Sequence, residues 1–175
     1  MTVKRRIYWG WVAVTVGLYA ALVGWAGPRF SEMAGGLQPF DLRVGGYEVS
    51  GALEFLAALD TDTAAFYLNI WYPLDMVFLS FITVAMAVGL FWLYRHWQPL
   101  ARFTVAAVPI AYGAFDVLEN NAVAGMVKGG AETLIAQTVE FSSLMTQLKF
   151  VFFFLSVLLI AAGLIAAWQN RRNTA

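Results

Sequence analysis

Six side chains with chemical potential stand at helical spacings inside segments that are otherwise apolar: Asp75, Asp116, Glu119, Asn120, Thr146 and Lys149. Tyr112, Asp116, Glu119, Asn120 and Val123 recur at intervals of three and four, which places them on one stripe of a helix. Thr146 precedes Lys149 by one turn on the following segment, and Asp75 lies near the start of the preceding one. Three carboxylates that share one ammonium leave negative charge over. In a low-dielectric place that surplus is met by a proton, by a bound cation or by water.

Each resolution implies a different chemistry. A protonated acid beside an ionised carboxylate is the pairing used in general acid–base catalysis, with Asp116, Glu119 and Lys149 as the candidate groups. Oxygen ligands from the carboxylates and Asn120 would suit a hard cation such as calcium or magnesium. Salt bridges and Asn hydrogen bonds between membrane helices also serve as glue, or hold a ligand. The balance favours a ligand-holding or structural polar cluster over catalysis, and catalysis over cation or proton passage. The basic half of the segments has no acidic or histidine relay for a conduit.

The elements that must position these residues follow from composition. The chain has 175 residues, of which 61% are hydrophobic, 16% aromatic and 13% charged, with zero formal net charge. Its mean hydropathy is +0.68. Four apolar blocks reach the ~20 residues that a bilayer core of roughly 30 Å requires of a helix. They predict spans at about 7–26, 71–94, 103–127 and 144–168 in a single membrane domain, 1–175. No cysteine is present, which removes disulfides, thiolate nucleophiles and Cys-held metal clusters. The single histidine, His96, falls in a polar turn and reads as solvated. No cofactor or resident metal is expected. No basic run points to nucleic acid, and no Gly-x-Ser-x-Gly elbow, His-Glu-x-x-His, Walker loop or dinucleotide fingerprint occurs.

In chain order, Lys4, Arg5 and Arg6 lead into the first block, whose length and flanking Trp9, Trp11 and Trp25 favour an uncleaved anchor over a cleaved signal. Gly17, Ala20, Ala21 and Gly24 would let another helix approach closely. Gly27-Pro28 predicts the end of that helix. The connection 27–70 predicts two short amphipathic helices, one capped by Ser50 and one, at 64–72, capped in the Asp60–Thr63 stretch. They would lie on the membrane surface or over the bundle as a cap. Asp41 and Arg43 read as an external ion pair, with a lid over the cluster as the alternative. Pro73 suits a first helical turn, Pro109 predicts a kink, and 131–141 predicts a further surface helix.

Lysine and arginine in excess mark the cytoplasmic side of short loops. One side collects Lys4, Arg5, Arg6, Arg95, Arg102, Arg171 and Arg172, and the other only Arg29, Arg43 and Lys128. Both termini are therefore expected in the cytoplasm. The fold class is an all-α membrane protein: a four-transmembrane-helix bundle with short external helices. Its expected partners are membrane lipids, and a membrane protein partner or a homo-oligomer is possible.

The ordered set Asp41-Leu42, Gly46-Tyr47, Tyr72-Pro73-Leu74-Asp75, Asp116-x-x-Glu119-Asn120 and Leu148-Lys149 resembles a family of small bacterial four-span integral membrane proteins. The resemblance covers roughly residues 37–155 and implies a bacterial inner-membrane location. The family carries no known activity, so no functional residue comes with it. A fainter likeness, in architecture alone, is to four-helix sterol-isomerase-like membrane proteins; this chain lacks their intramembrane histidine.

The expected function is an outer-leaflet polar pocket for a lipid or amphipathic small molecule, or support of a membrane partner. The alternatives are an enzyme acting on a lipid-like substrate by carboxylate acid–base chemistry, and a small cation or proton carrier.

Overall fold

The apolar blocks form helices that overrun their expected ends. In the computed structural model, which describes residues 3–173 apart from the side chains of 171 and 173, the long helices are α1 (Val3–Met33), α3 (Thr61–Leu93), α4 (Pro99–Gly129) and α5 (Ala136–Asn173). A shorter helix, α2 (Val49–Ala58), lies between the first two. All four long helices are long and apolar enough to cross a membrane. Each runs to 31 residues or more, about 46 Å or more at 1.5 Å per residue.

Gly27-Pro28 does not end α1. The helix passes through a π turn, Leu22–Ala26, and resumes as Gly27–Met33 with Pro28 in its first turn. Helix α3 does the same: a π turn at Tyr67–Trp71 precedes Pro73 in the first turn of the next segment. A proline has no N–H to give the preceding turn, and the wider π turn lets the chain continue where an α-helix would lose a bond. The two π turns abut. The Trp71 ring packs against Gly27, where a Cβ would stand 3.6 Å from it, an ordinary contact distance.

Two expected surface helices are thereby corrected. The stretch at 64–72 belongs to α3, with Asp60 accepting a hydrogen bond from the Thr63 amide at 2.8 Å as its N-cap. The Thr63 hydroxyl, and after it that amide bond, hold the Asp60 carboxyl below its ordinary value. The stretch at 131–141 forms only a 3-10 turn, Ala131–Thr133, before α5 begins. The connection does contain one separate helix, α2, which starts at Val49 after Glu48 and has no side-chain cap, so Ser50 does not serve as one.

Packing divides by end. None of the 11 Asp and Glu residues falls within 3–31, 76–115 or 141–173, so every acid belongs to the same end of the long helices as α2. There Phe30, Phe40, Phe55, Tyr67 and Trp71 form a buried aromatic core, with Phe40 and Phe55 ring centres 4.4 Å apart. Full burial of each phenylalanine is worth about 1.5–3 kcal/mol, which fastens the connection onto the bundle. Helices α4 and α5 make the most extensive interface, followed by α3 and α4. Gly113 lets α3 come close, since a Cβ there would lie 2.6 Å from Thr83 Oγ1. Helix α1 is peripheral, packing chiefly on the lower part of α3. Of the basic residues used for orientation, the side chain of Arg171 lies outside the described set.

Candidate functional site

Three helices and one loop bring polar side chains together at the acid-bearing end. From α5, Lys149 reaches α4: its Nζ lies 3.0 Å from Asp116 Oδ1 and 2.5 Å from Glu119 Oε2. Thr146, one turn earlier, donates to Glu119 Oε1 at 2.6 Å and shares its hydrogen with the Ser142 carbonyl at 3.0 Å. Asn120 bridges to α3, donating to Asp75 Oδ2 at 2.6 Å and more weakly to Asp116 Oδ1 at 3.4 Å. Tyr112 is buried one turn before Asp116. All six sequence-identified residues thus belong to one network. Asp116, Glu119, Asn120, Thr146 and Lys149 are buried, while Asp75 is half-buried.

The fourth acid is Asp41, for which the sequence favoured an external ion pair, with a lid over the cluster as the alternative. Asp41 is buried, and its Oδ2 accepts a hydrogen bond from Trp71 Nε1 at 2.8 Å. Burial pushes its carboxyl up from the ordinary value; Lys149 and the Trp71 bond pull against this, and Asp116 adds to it. The expected Asp41–Arg43 ion pair does not form. Arg43 instead lies over the rings of Phe40, Phe55 and Tyr47, at 5.0, 5.4 and 5.9 Å from their centres. The buried Asp41 adds a fourth acid to the field of Lys149, and the Arg43 guanidinium rests on the aromatic surface beside it.

Asp41 is carried by a strap, residues 34–48, with positive-φ glycines near both ends: Gly35 and Gly36 at one, Gly46 at the other. Tyr47 latches the strap to α5, its backbone N–H donating to Ser143 Oγ at 2.9 Å and its hydroxyl to Ser142 Oγ at 2.7 Å. Burial, together with the nearby Glu119 and Asp41, pushes the Tyr47 phenol up, so it stays a neutral hydroxyl. Outside the latch lies an open cavity of about 320 Å³, bordered by Tyr47, Glu48, Glu140, Ser143 and Gln147 among others.

A signal for part of the missed set was present. Tyr67, Trp71 and Asp75 follow one another at i, i+4 and i+8, a single stripe once α3 is taken back to Thr61. For Asp41 the local sequence did not decide between the external ion pair and the lid, since an aspartate in a turn-rich stretch resembles a surface residue until the strap is seen to fold back.

The chemistry of the set is lopsided. Four carboxylates, Asp41, Asp75, Asp116 and Glu119, face one ammonium. Most of their oxygens are engaged, yet Asp41 Oδ1, Asn120 Oδ1 and the Tyr67 hydroxyl are buried and have no hydrogen-bond partner among the described residues. Buried polar atoms nearly always find partners, and leaving one unmet costs about 1–3 kcal/mol. Two acceptors and one hydroxyl therefore have hydrogen-bonding capacity that no described side chain meets. Among the described residues, no three His, Cys, Asp or Glu side chains are arranged to hold a metal ion.

Comparison with protein-family profiles, curated proteins and solved structures returned no match to this chain.

Proposed function

We propose that this is a four-span integral membrane protein that binds a lipid or other amphipathic small molecule at the Asp41–Asp75–Asp116–Glu119–Asn120–Lys149 cluster, beneath the strap. The observation that carries the reading is the leftover hydrogen-bonding capacity: Asp41 Oδ1, Asn120 Oδ1 and the Tyr67 hydroxyl are unpartnered inside an otherwise paired network. An open cavity borders the outer side of the Tyr47 latch that holds the strap over the cluster. An ion-paired Glu119 that also accepts a hydrogen bond from Thr146 is a holding arrangement, which weighs against the acid–base enzyme reading.

The basic ends of the four helices belong in the cytoplasm by the excess of lysine and arginine there. A bilayer core of roughly 30 Å measured from Arg102 would then end about 20 residues on, near Ala122, with Glu119 about 25 Å and Asp116 about 21 Å along α4. On this reading the site lies just inside the outer edge of the hydrocarbon, with the strap and α2 as an external cap. A bacterial inner-membrane location and membership of the four-span family fit the ordered motifs, whose acidic, Asn and Lys members all belong to the cluster or its strap.

Native mass spectrometry of wild type and Tyr67→Phe tests the reading. The Tyr67 hydroxyl makes no hydrogen bond among the described residues, so its removal should leave stability unchanged or raise it by about 1 kcal/mol. The expected result is a non-detergent adduct of fixed mass on wild type that is weakened in Tyr67→Phe. A wild type with no such adduct, or equal retention by both proteins, would overturn it.

A further inference from the structure

At the opposite, basic end the structure holds a second concave feature that the polar cluster does not use. A groove of about 260 Å³ runs between α1 and α3, lined by Ile7, Tyr8, Trp11, Val84, Val88 and Trp92, with Lys4 at one end. Its aromatic walls turn their polar atoms away from the opening. The Tyr8 hydroxyl donates to the Ala85 carbonyl at 3.1 Å, and Trp11 Nε1 to the Phe81 carbonyl at 2.8 Å. The groove is therefore greasy along its length and cationic at its mouth.

We infer that this groove seats one acyl chain of an anionic phospholipid, with Lys4 on the headgroup phosphate. Charge complementarity selects the occupant. Lys4, Arg5, Arg6, Arg95 and Arg102 cluster at this end, and no Asp or Glu falls within 3–31 or 76–115 to oppose them. A zwitterionic lipid could fill the apolar part equally well, but would gain less from the ammonium. A lysine near the membrane surface adds about 1 kcal/mol toward anionic lipid, about fivefold in affinity.

The occupant has a mechanical consequence for α1. That helix is the peripheral one, and among the described residues its lower half is tied to α3 by the Tyr8 and Trp11 hydrogen bonds and by ring contacts such as Trp11 on Phe81, 4.2 Å apart. A chain lying against Ile7, Tyr8 and Trp11 on one wall and Val84, Val88 and Trp92 on the other touches both helices at once. It acts as a third side of that interface, so the lipid stabilises the docking of α1.

Native mass spectrometry of detergent-purified protein titrated with phosphatidylglycerol or phosphatidylcholine, with thermal melting in parallel, tests the proposal. Wild type should retain one phosphatidylglycerol molecule in preference to phosphatidylcholine and melt higher with it. Soluble glycerol phosphate, which has the headgroup charge and no chain, should produce no shift.

Lys4→Gln should reduce the preference about fivefold while leaving phosphatidylcholine binding unchanged. Arg172→Gln, a charge-matched change on α5 whose guanidinium lies over Trp168, should leave the preference intact. Val88→Trp fills the groove and should remove the retained lipid, and Val84→Trp provides the same test should Val88→Trp misfold. Equal losses of preference in Lys4→Gln and Arg172→Gln would show diffuse surface charge and overturn the proposal. So would full lipid retention in a folded groove-filling variant, or a melting shift with glycerol phosphate alone.

Discussion

Replacing Lys149 by methionine keeps much of the side chain's volume and removes the only cation in the cluster. The residue is 5% exposed, with its Nζ 3.0 Å from Asp116 and 2.5 Å from Glu119. Both carboxylates would be left buried and uncompensated. Breaking a buried pair from one side costs about 3–5 kcal/mol.

Glu119→Gln provides the contrast. It retains an oxygen for Thr146 and leaves Lys149 paired with Asp116, so its cost should be about 1–2 kcal/mol. Thermal melting in mild detergent, followed by tryptophan fluorescence, should therefore rank wild type above Glu119→Gln, and Glu119→Gln above Lys149→Met. At 2–4 °C per kcal/mol for a chain of this size, the Lys149→Met drop is roughly 10 °C. The drop should shrink as the pH falls toward about 4, because protonation then costs almost nothing. Equal and negligible shifts in both variants would refute the idea of a paired network, and a drop that is the same at pH 4 and pH 7 would refute the charge-stranding explanation.

Two other perturbations probe the strap. Asp41 has a folded-state carboxyl raised above its ordinary value, chiefly by burial. Its protonated form therefore favours the fold below the ordinary value of about 4, and this contribution is lost as the pH rises through the raised one. Asp41→Asn keeps an oxygen for Trp71 and should gain stability over wild type between about pH 5 and pH 8, with little difference at pH 4; melting curves across that range check it. Gly46→Ala meets both a positive φ of 79° and a Cβ position 2.5 Å from Ser143 Oγ. It should loosen the latch at a cost of about 1–3 kcal/mol, seen as faster maleimide labelling of a cysteine introduced at Ser142 in this cysteine-free chain, with a cysteine at Ser156 staying protected.

Much of the architecture is local information, and the sequence by itself determined it. Four apolar runs of sufficient length define four long helices because a helix satisfies its own backbone and needs no partner to be recognised. The stripe Tyr112–Asp116–Glu119–Asn120 is equally local, since spacings of three and four share a face whatever lies opposite. Lys149 follows from charge: it is the only cation well inside the apolar segments.

Tertiary structure decided the rest. Whether Gly27-Pro28 stops α1 depends on a π turn and on its packing against the second π turn at Trp71, and neither is written in the local sequence. Thr61 to Tyr72 joined α3 for the same reason. Asp41 became the fourth acid of the cluster because the strap folds back and buries Phe40 among Tyr47 and Phe55, carrying the neighbouring carboxylate to Trp71. The sequence placed the charges along each helix, but only the packing determined which of them share one ammonium.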